Sequence, residues 1–256
     1  MAIIPLRAWY LEKYEPLSEL EQRPHDLRLS KSGLLKSGLR ADFLDESHQV
    51  RESQWFARYL DGDIIEFYIE GSGSYVISNI DLIGHEIYFA KRESMLHLSP
   101  VIFWSYQTEF APAYEALSET LETFIEEFNE RSRLNLTLET SQRPVDAPLR
   151  LNSRLTSRIR KSLLVIADIT PIGSLPGDPP RVMVSPNVCM EVGYALHGKR
   201  TEQVLLVNME RSDLSGQLPF DLPKYQRSSF ANASDLEKTL PTVLEAMLQR
   251  YNLLQS

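Results

Sequence analysis

Hydrophobic and polar positions change rhythm near residue 98. Beyond it, short apolar runs alternate with longer stretches of helical period. V-I-F-W-S (101–105) reads as a first buried strand, and residues 136–139 as a second. S-L-L-V-I-A-D-I-T (162–170) supplies a third, ending at Asp168. Residues 204–208 give a fourth, and residues 226–230 a fifth at the edge. Between them, residues 113–131 place Tyr114, Leu117, Leu121, Phe124, Ile125 and Phe128 at helical spacing, with Glu115, Glu119, Glu122, Glu126 and Glu127 on a solvated outer face. Leu151, Leu155 and Ile159 mark another helix, which carries Arg150, Arg154, Arg158 and Arg160. A long Pro/Gly loop (171–185) precedes the helix of residues 185–199. Ser234 and Glu237 form a capping box for a last helix, and Pro241 restarts or kinks it. Strand–helix alternation with right-handed crossovers predicts an α/β domain: a flavodoxin-like, five-stranded parallel sheet of order 2-1-3-4-5.

The first hundred residues have a weaker pattern. Residues 3–10 could form a strand, 16–24 break regularity, and 27–43 show no clean period. Residues 53–60 read as a short helix with Trp55, Phe56 and Tyr59 on one side. I-I-E-F-Y-I-E, G-S-G-S and Y-V-I-S-N-I predict a hairpin, so the glycines of residues 71–74 are turn residues rather than a phosphate loop. Residues 87–90 could add a strand. The expected organisation is a small α+β unit over residues 1–98, for sensing or assembly, and an α/β domain over residues 99–256.

Composition narrows the classes. A formal charge of −8 over 256 residues argues against non-specific duplex binding, which needs clustered Lys and Arg. Cys189 is the sole cysteine, so neither an internal disulfide nor a multi-cysteine zinc site is available; it reads as a small, reduced core residue. No run of about 18 apolar residues occurs, and no signal-peptide pattern opens the chain. The expectation is a soluble, cytoplasmic protein that does not enter a membrane.

The candidate chemistry gathers around S-P-N-V-C-M-E-V-G-Y-A-L-H-G-K (185–199). Ser185 is a suitable N-cap and Pro186 a suitable first helical residue; Gly198 stops the helix, with Lys199 and Arg200 near its negative end. Asn187 and Glu191 share a face one turn from the start. Gly193 lowers helix stability but permits close approach by a ligand or backbone. Ligands of open parallel sheets lie beyond the carboxyl ends of the strands, and Asp168, Thr170 and the start of this helix belong to that edge. By residue type alone, Glu191 fits a surface helix carboxylate, Asp168 a cap or turn former, Asn187 a helix-start residue, and Arg143 a solvated cation or a phosphate ligand. His197 reads as a charge partner for the helix C-terminus.

Together, F-W-S-Y (103–106), R-I-R-K-S-L-L-V-I-A-D-I-T, P-N-V-C-M-E-V-G-Y-A-L-H-G-K and L-P-F-D-L resemble bacterial TIR-like (Toll/interleukin-1 receptor-like) predicted nucleotide-binding domains, over about residues 101–256. The E-V-G-Y-A-L-H-G-K core is also similar to nucleoside 2-deoxyribosyltransferases. The resemblance implies that Glu191 is the catalytic carboxylate and that Asp168 assists it. It also implies that Ser105–Tyr106 and the Arg143–Pro144 region border the nucleotide; Thr170, at the strand edge, and Asn187, on the face of Glu191, are further substrate-binding candidates. The implied activity is NAD(P)+ glycohydrolase, releasing nicotinamide, in an antiphage defence effector. NAD+ would then be a substrate, with no cofactor and no metal required. The alternatives are a deoxyribosyltransferase-like enzyme or nucleotide hydrolase, and a non-catalytic TIR-like module that binds nucleotide or protein. The implied partners are a small nucleotide and, through the N-terminal unit, a second copy or another protein, with no direct nucleic-acid contact. Two departures stand out: Asn187 occupies the position where NAD-cleaving TIR enzymes often carry Trp, and the 171–185 loop is longer than in the deoxyribosyltransferases. A carboxylate at a pocket edge is expected to be partly exposed.

Overall fold

A computed structural model describes residues 5–35, 38–91, 95–141, 153–218 and 226–255. The chain divides into two units, Met1–His97 and Leu98–Ser256.

The first unit is a closed antiparallel barrel. Its strands are β1 (Pro5–Tyr10), β2 (Leu27–Leu35), β3 (Gly38–Phe43), β4 (Glu66–Ile69), β5 (Gly73–Asp81) and β6 (Glu86–Lys91), in the cyclic order β1-β2-β3-β6-β5-β4. Three short helices are interposed: α1 (Leu17–Leu20), α2 (Ser47–Glu52) and α3 (Gln54–Leu60). Every strand contributes inward residues, among them Ala8, Leu29, Phe43, Phe67, Ile77 and Phe89, and Trp55 adds to the same core. Closure leaves no free sheet edge. It needs one close approach, because a Cβ on Gly38 would lie 2.6 Å from the Phe89 carbonyl oxygen. The aperiodic stretch of residues 27–43 is in fact two strands. Its period is interrupted by a register shift between Lys31 and Gly33, where a bulge displaces one residue from the alternation. The β4–β5 connection is a hairpin turn with Gly71 and Gly73 at positive φ (68° and 107°), a conformation that costs glycine least.

The second unit is a five-stranded, all-parallel sheet with helices on both faces. In chain order it comprises β7 (Ser99–Ser105), α4 (Ala111–Arg131), β8 (Thr137–Thr140), α5 (Ser153–Lys161) and β9 (Ser162–Asp168), then β10 (Gly173–Leu175), β11 (Arg181–Met183), α6 (Pro186–Gly198), β12 (Val204–Met209), β13 (Arg227–Phe230) and α7 (Ala233–Leu248). The parallel strands lie side by side as β13-β12-β9-β7-β8, and β10 and β11 form a separate antiparallel pair. β9 is buried along its whole length, as its unbroken apolar run requires. Phe103, Val165, Ala167 and Leu206 pack on one face with Leu155 and Ile159 of α5 and Val188, Val192 and Ala195 of α6. On the opposite face Trp104 stacks on Tyr114 of α4, ring centroids 5.4 Å apart.

Local details differ from the sequence reading. The 171–185 loop contains the β10–β11 hairpin, whose three-residue strands are too short to register as periodic segments. The last helix is capped by Asn232, whose side chain accepts from the Asp235 amide at 3.1 Å, rather than by a Ser234–Glu237 box. It runs through Pro241 without a break. Gly198 is the last helical residue of α6, and Lys199 follows as C-cap. Among the described residues, no helix is long and apolar enough to cross a membrane.

Candidate functional site

The carboxyl ends of β7 and β9 converge on α6. Because side chains alternate across a strand, Ser105 points to the same face as Phe103, towards α5 and α6. Its hydroxyl donates a short hydrogen bond to Oε2 of Glu191, 86 positions along the chain. Both residues are completely buried. Glu191 is therefore not the partly exposed carboxylate expected from its helix position. The second turn of α6 is pressed against the sheet, and the neighbouring Val188, Val192 and Ala195 are buried with it.

Two residues beyond Ser105, Gln107 holds the second carboxylate. Its Nε2 donates to Asp168 Oδ2 at 2.9 Å, while its Oε1 accepts from the Phe110 amide at 2.7 Å. Asp168 Oδ1 accepts from the Thr170 amide at 2.9 Å, an Asx-type turn that folds the chain back at the end of β9. Asp168 is fully buried, and loss of hydration pushes its carboxyl above the ordinary value. The bonds from Thr170 and Gln107 oppose that rise, and the Glu109 charge adds to it. Thr170 is buried too, and its hydroxyl accepts from the Met209 amide at 2.9 Å, tying the end of β9 to the end of β12.

Ser185 is the N-cap residue of α6, but its side chain does not cap the helix. Its hydroxyl donates instead to Glu109 Oε1 at 2.8 Å, and Glu109 Oε2 accepts from the Thr108 amide. The loop after β7 is thus tied to α6 through Glu109 and to β9 through Gln107. Arg211 supplies a cation at the same edge. It covers the Phe110 ring at 4.2 Å, donates to the Pro171 carbonyl at 2.9 Å and pairs with Asp213. Gln107, Glu109 and Arg211 escaped the sequence reading. The signal available for the first two was their position in the loop directly after a buried strand.

Of the residues proposed from sequence, Ser105 and Glu191 form one buried pair, and Asp168 and Thr170 belong with Gln107 to a second buried set at the same edge. Tyr106 is half-buried and belongs to the other face, where its ring lies 5.4 Å from Trp104 and 5.5 Å from Tyr114. Asn187 is half-buried in the first turn of α6. Arg143 lies outside the described residues, as do Pro144 and most of L-P-F-D-L. Cys189 is half-buried against the α6 core, and burial raises its thiol pKa, which disfavours the thiolate. His197 is exposed in the last turn of α6. Gly193 is exposed, and an added Cβ would meet nothing within 4 Å, so no described group makes use of its missing side chain. Among the described residues, no group of three or more His, Cys, Asp and Glu side chains is arranged to hold a metal ion.

The fold and this edge define the class: an α/β domain with an all-parallel sheet, compatible with a flavodoxin-like architecture, preceded by a β-barrel unit. No family model matches the chain, and no curated protein matches it. Among solved structures it is similar to the metal-soaked Flv1 flavodiiron core from Synechocystis sp. PCC6803, at 13% identity and a TM-score of 0.32. That similarity covers 59% of this chain and 34% of the other.

Proposed function

We propose that the Leu98–Ser256 unit is a TIR-like enzyme that cleaves the N-glycosidic bond of NAD(P)+ and releases nicotinamide, with Glu191 as its essential carboxylate. The observation that carries this reading is the Ser105–Glu191 hydrogen bond at the carboxyl edge of the sheet. It holds one carboxylate beside the end of the first parallel strand, where the TIR resemblance expects the nucleotide. Cleavage builds positive charge on the ribose ring. A carboxylate held close to C1′ stabilises that charge or captures it as a sugar ester. Nicotinamide leaves from a cationic ring, so no proton donor is needed. Asp168, buried and bonded to Gln107 and to the Thr170 amide, then serves as an organiser of the β9 turn.

In the described conformation Glu191 has no exposed surface, so substrate entry requires the segments at this edge to part. That requirement agrees with a defence effector whose basal turnover is low and rises on assembly or on a signal received by the N-terminal barrel. The same burial favours a second reading, a non-catalytic TIR-like module in which Glu191 and Asp168 only hold the edge together. The purified full chain, incubated with NAD+, NADP+ and 2′-deoxynucleosides and monitored for free base, separates the readings. Nicotinamide release supports the glycohydrolase, base release from deoxynucleosides supports a deoxyribosyltransferase-like enzyme, and nucleotide binding without release supports the module.

A further inference from the structure

A cavity of about 320 Å³ lies between α5 and strands β7, β8 and β9, reaching from the amino ends of β7 and β9 to Glu139, which is level with Phe103 on β7. Ser99, Val101, Glu139, Arg154, Ser157, Arg158, Lys161 and Ser162 line it. Ser99 and Ser162 are paired residues at the amino ends of β7 and β9, and Val101 is further along β7. The four α5 residues are spaced i, i+3, i+4 and i+7, which puts them on one face of that helix. Three cationic side chains therefore face one carboxylate in a protein whose formal charge is −8. The carboxylate is already engaged: Arg158 Nε donates to Glu139 Oε2 at 2.5 Å. The terminal nitrogens of that guanidinium make no hydrogen bond to a described residue. Arg154 and Lys161 are exposed, and neither is ion-paired to a described residue.

Helix-end electrostatics accounts for Lys161, because a cation in the last turn of a helix is favourable. It does not account for Arg154, seven residues before Lys161 on the same face of α5, and a bound anion would. Guanidinium groups bind phosphate oxygens through paired donors, and the Ser99 and Ser157 hydroxyls can add neutral ones. Ser162 donates its own proton to the Ile159 carbonyl at 2.8 Å, so its oxygen remains an acceptor. The volume exceeds that of one phosphate and falls in the range of small-molecule pockets. Val101 offers an apolar wall.

We propose that this cavity is a second ligand site, for a phosphate-bearing small molecule, sharing no lining residue with the Glu191 and Asp168 contacts. The guanidinium groups of Arg154 and Arg158 and the Lys161 ammonium hold the phosphate, and the apolar wall takes part of the organic moiety.

Isothermal titration calorimetry of the full chain with AMP, inorganic pyrophosphate and adenosine tests the site. AMP and pyrophosphate are expected to bind, more weakly as salt rises, and adenosine is not. Replacing Arg154 and Lys161 together by Gln removes two charge-assisted contacts and should weaken AMP by about tenfold or more. Arg160→Gln, on the same helix but outside the cavity, should leave affinity unchanged. Glu139→Gln should tighten binding by removing the like charge, and it shows that the effect is not a folding defect of the double variant. Binding should persist in Glu191→Gln, so its survival does not depend on the proposed chemistry. The proposal is overturned if no phosphate-bearing probe binds, if the double variant binds AMP as the parent does, or if Arg160→Gln weakens it equally.

Discussion

Replacing Ser105 by alanine removes the hydroxyl that donates to Glu191 Oε2 inside a fully buried environment. A hydrogen bond to a charged group contributes about 1.5–3 kcal/mol, against about 1 kcal/mol for a neutral pair. Ser105→Ala should therefore destabilise the sheet unit by about 2–3 kcal/mol when residue 191 is Glu, and by only about 1 kcal/mol when it is Gln. Glu191→Gln alone should be neutral or stabilising, because it removes a buried charge while keeping a group that Ser105 can reach. The coupling in a double-mutant cycle is then about 1–2 kcal/mol. Urea unfolding measures it. Trp104 is the only tryptophan of this unit, so a background with Trp9 and Trp55 changed to Phe makes it the reporter. Effects of the two changes that add to within about 0.5 kcal/mol would show that the charge adds nothing to this bond and refute the reasoning.

Three further outcomes are expected. Burial favours the neutral form of Asp168, so its folded pKa lies above the ordinary 3.8; that contribution to stability is complete below 3.8 and is lost as pH rises through the folded value. In pH-stepped unfolding, acidification should favour the wild type relative to Asp168→Asn, and the opposite slope would contradict the assignment. Burial lowers Lys199 to about 8 from 10.5, although its ammonium donates to the Arg160 and Ser162 carbonyls. Between those pH values the unfolded chain binds more protons, so the wild type should gain up to about 3 kcal/mol on Lys199→Met as pH rises; a flat difference across that window would argue against the shift. Gly193→Ala should stabilise α6 by about 1 kcal/mol, because no group meets the new Cβ, and base release should be unaffected; lost activity with a stable fold would mean that a ligand uses that gap.

What the sequence made legible follows from how strongly each element is specified. β9 is buried on both faces, so its residues form an unbroken apolar run, and α4 presents a full stripe of core residues at helical spacing. The barrel was not legible as a barrel. Closure depends on pairings such as β3 with β6 and β1 with β4, which join residues distant in sequence, and a bulge hides the period of β2. At the candidate site, Glu191 and Asp168 were singled out from sequence, but their environment was not. The side chain that engages each is set by tertiary packing: Ser105 reaches Glu191, and Gln107 reaches Asp168. Ser185 illustrates the same limit. Local chemistry favours an N-cap, yet Glu109 lies close enough to take its hydroxyl proton.

The central claim is that Glu191 carries the chemistry. Its most direct test is nicotinamide release from NAD+ by the wild type and by Glu191→Gln, under the assembly or effector condition that gives the highest wild-type rate, with both proteins checked for equal folding. Gln keeps the size and hydrogen-bonding reach of the side chain and removes its charge. The account predicts a loss of roughly two or more orders of magnitude in rate with the fold intact, as for removal of a main electrostatic stabiliser. Wild-type turnover by Glu191→Gln on an accepted substrate would contradict it and leave Glu191 with a purely structural role.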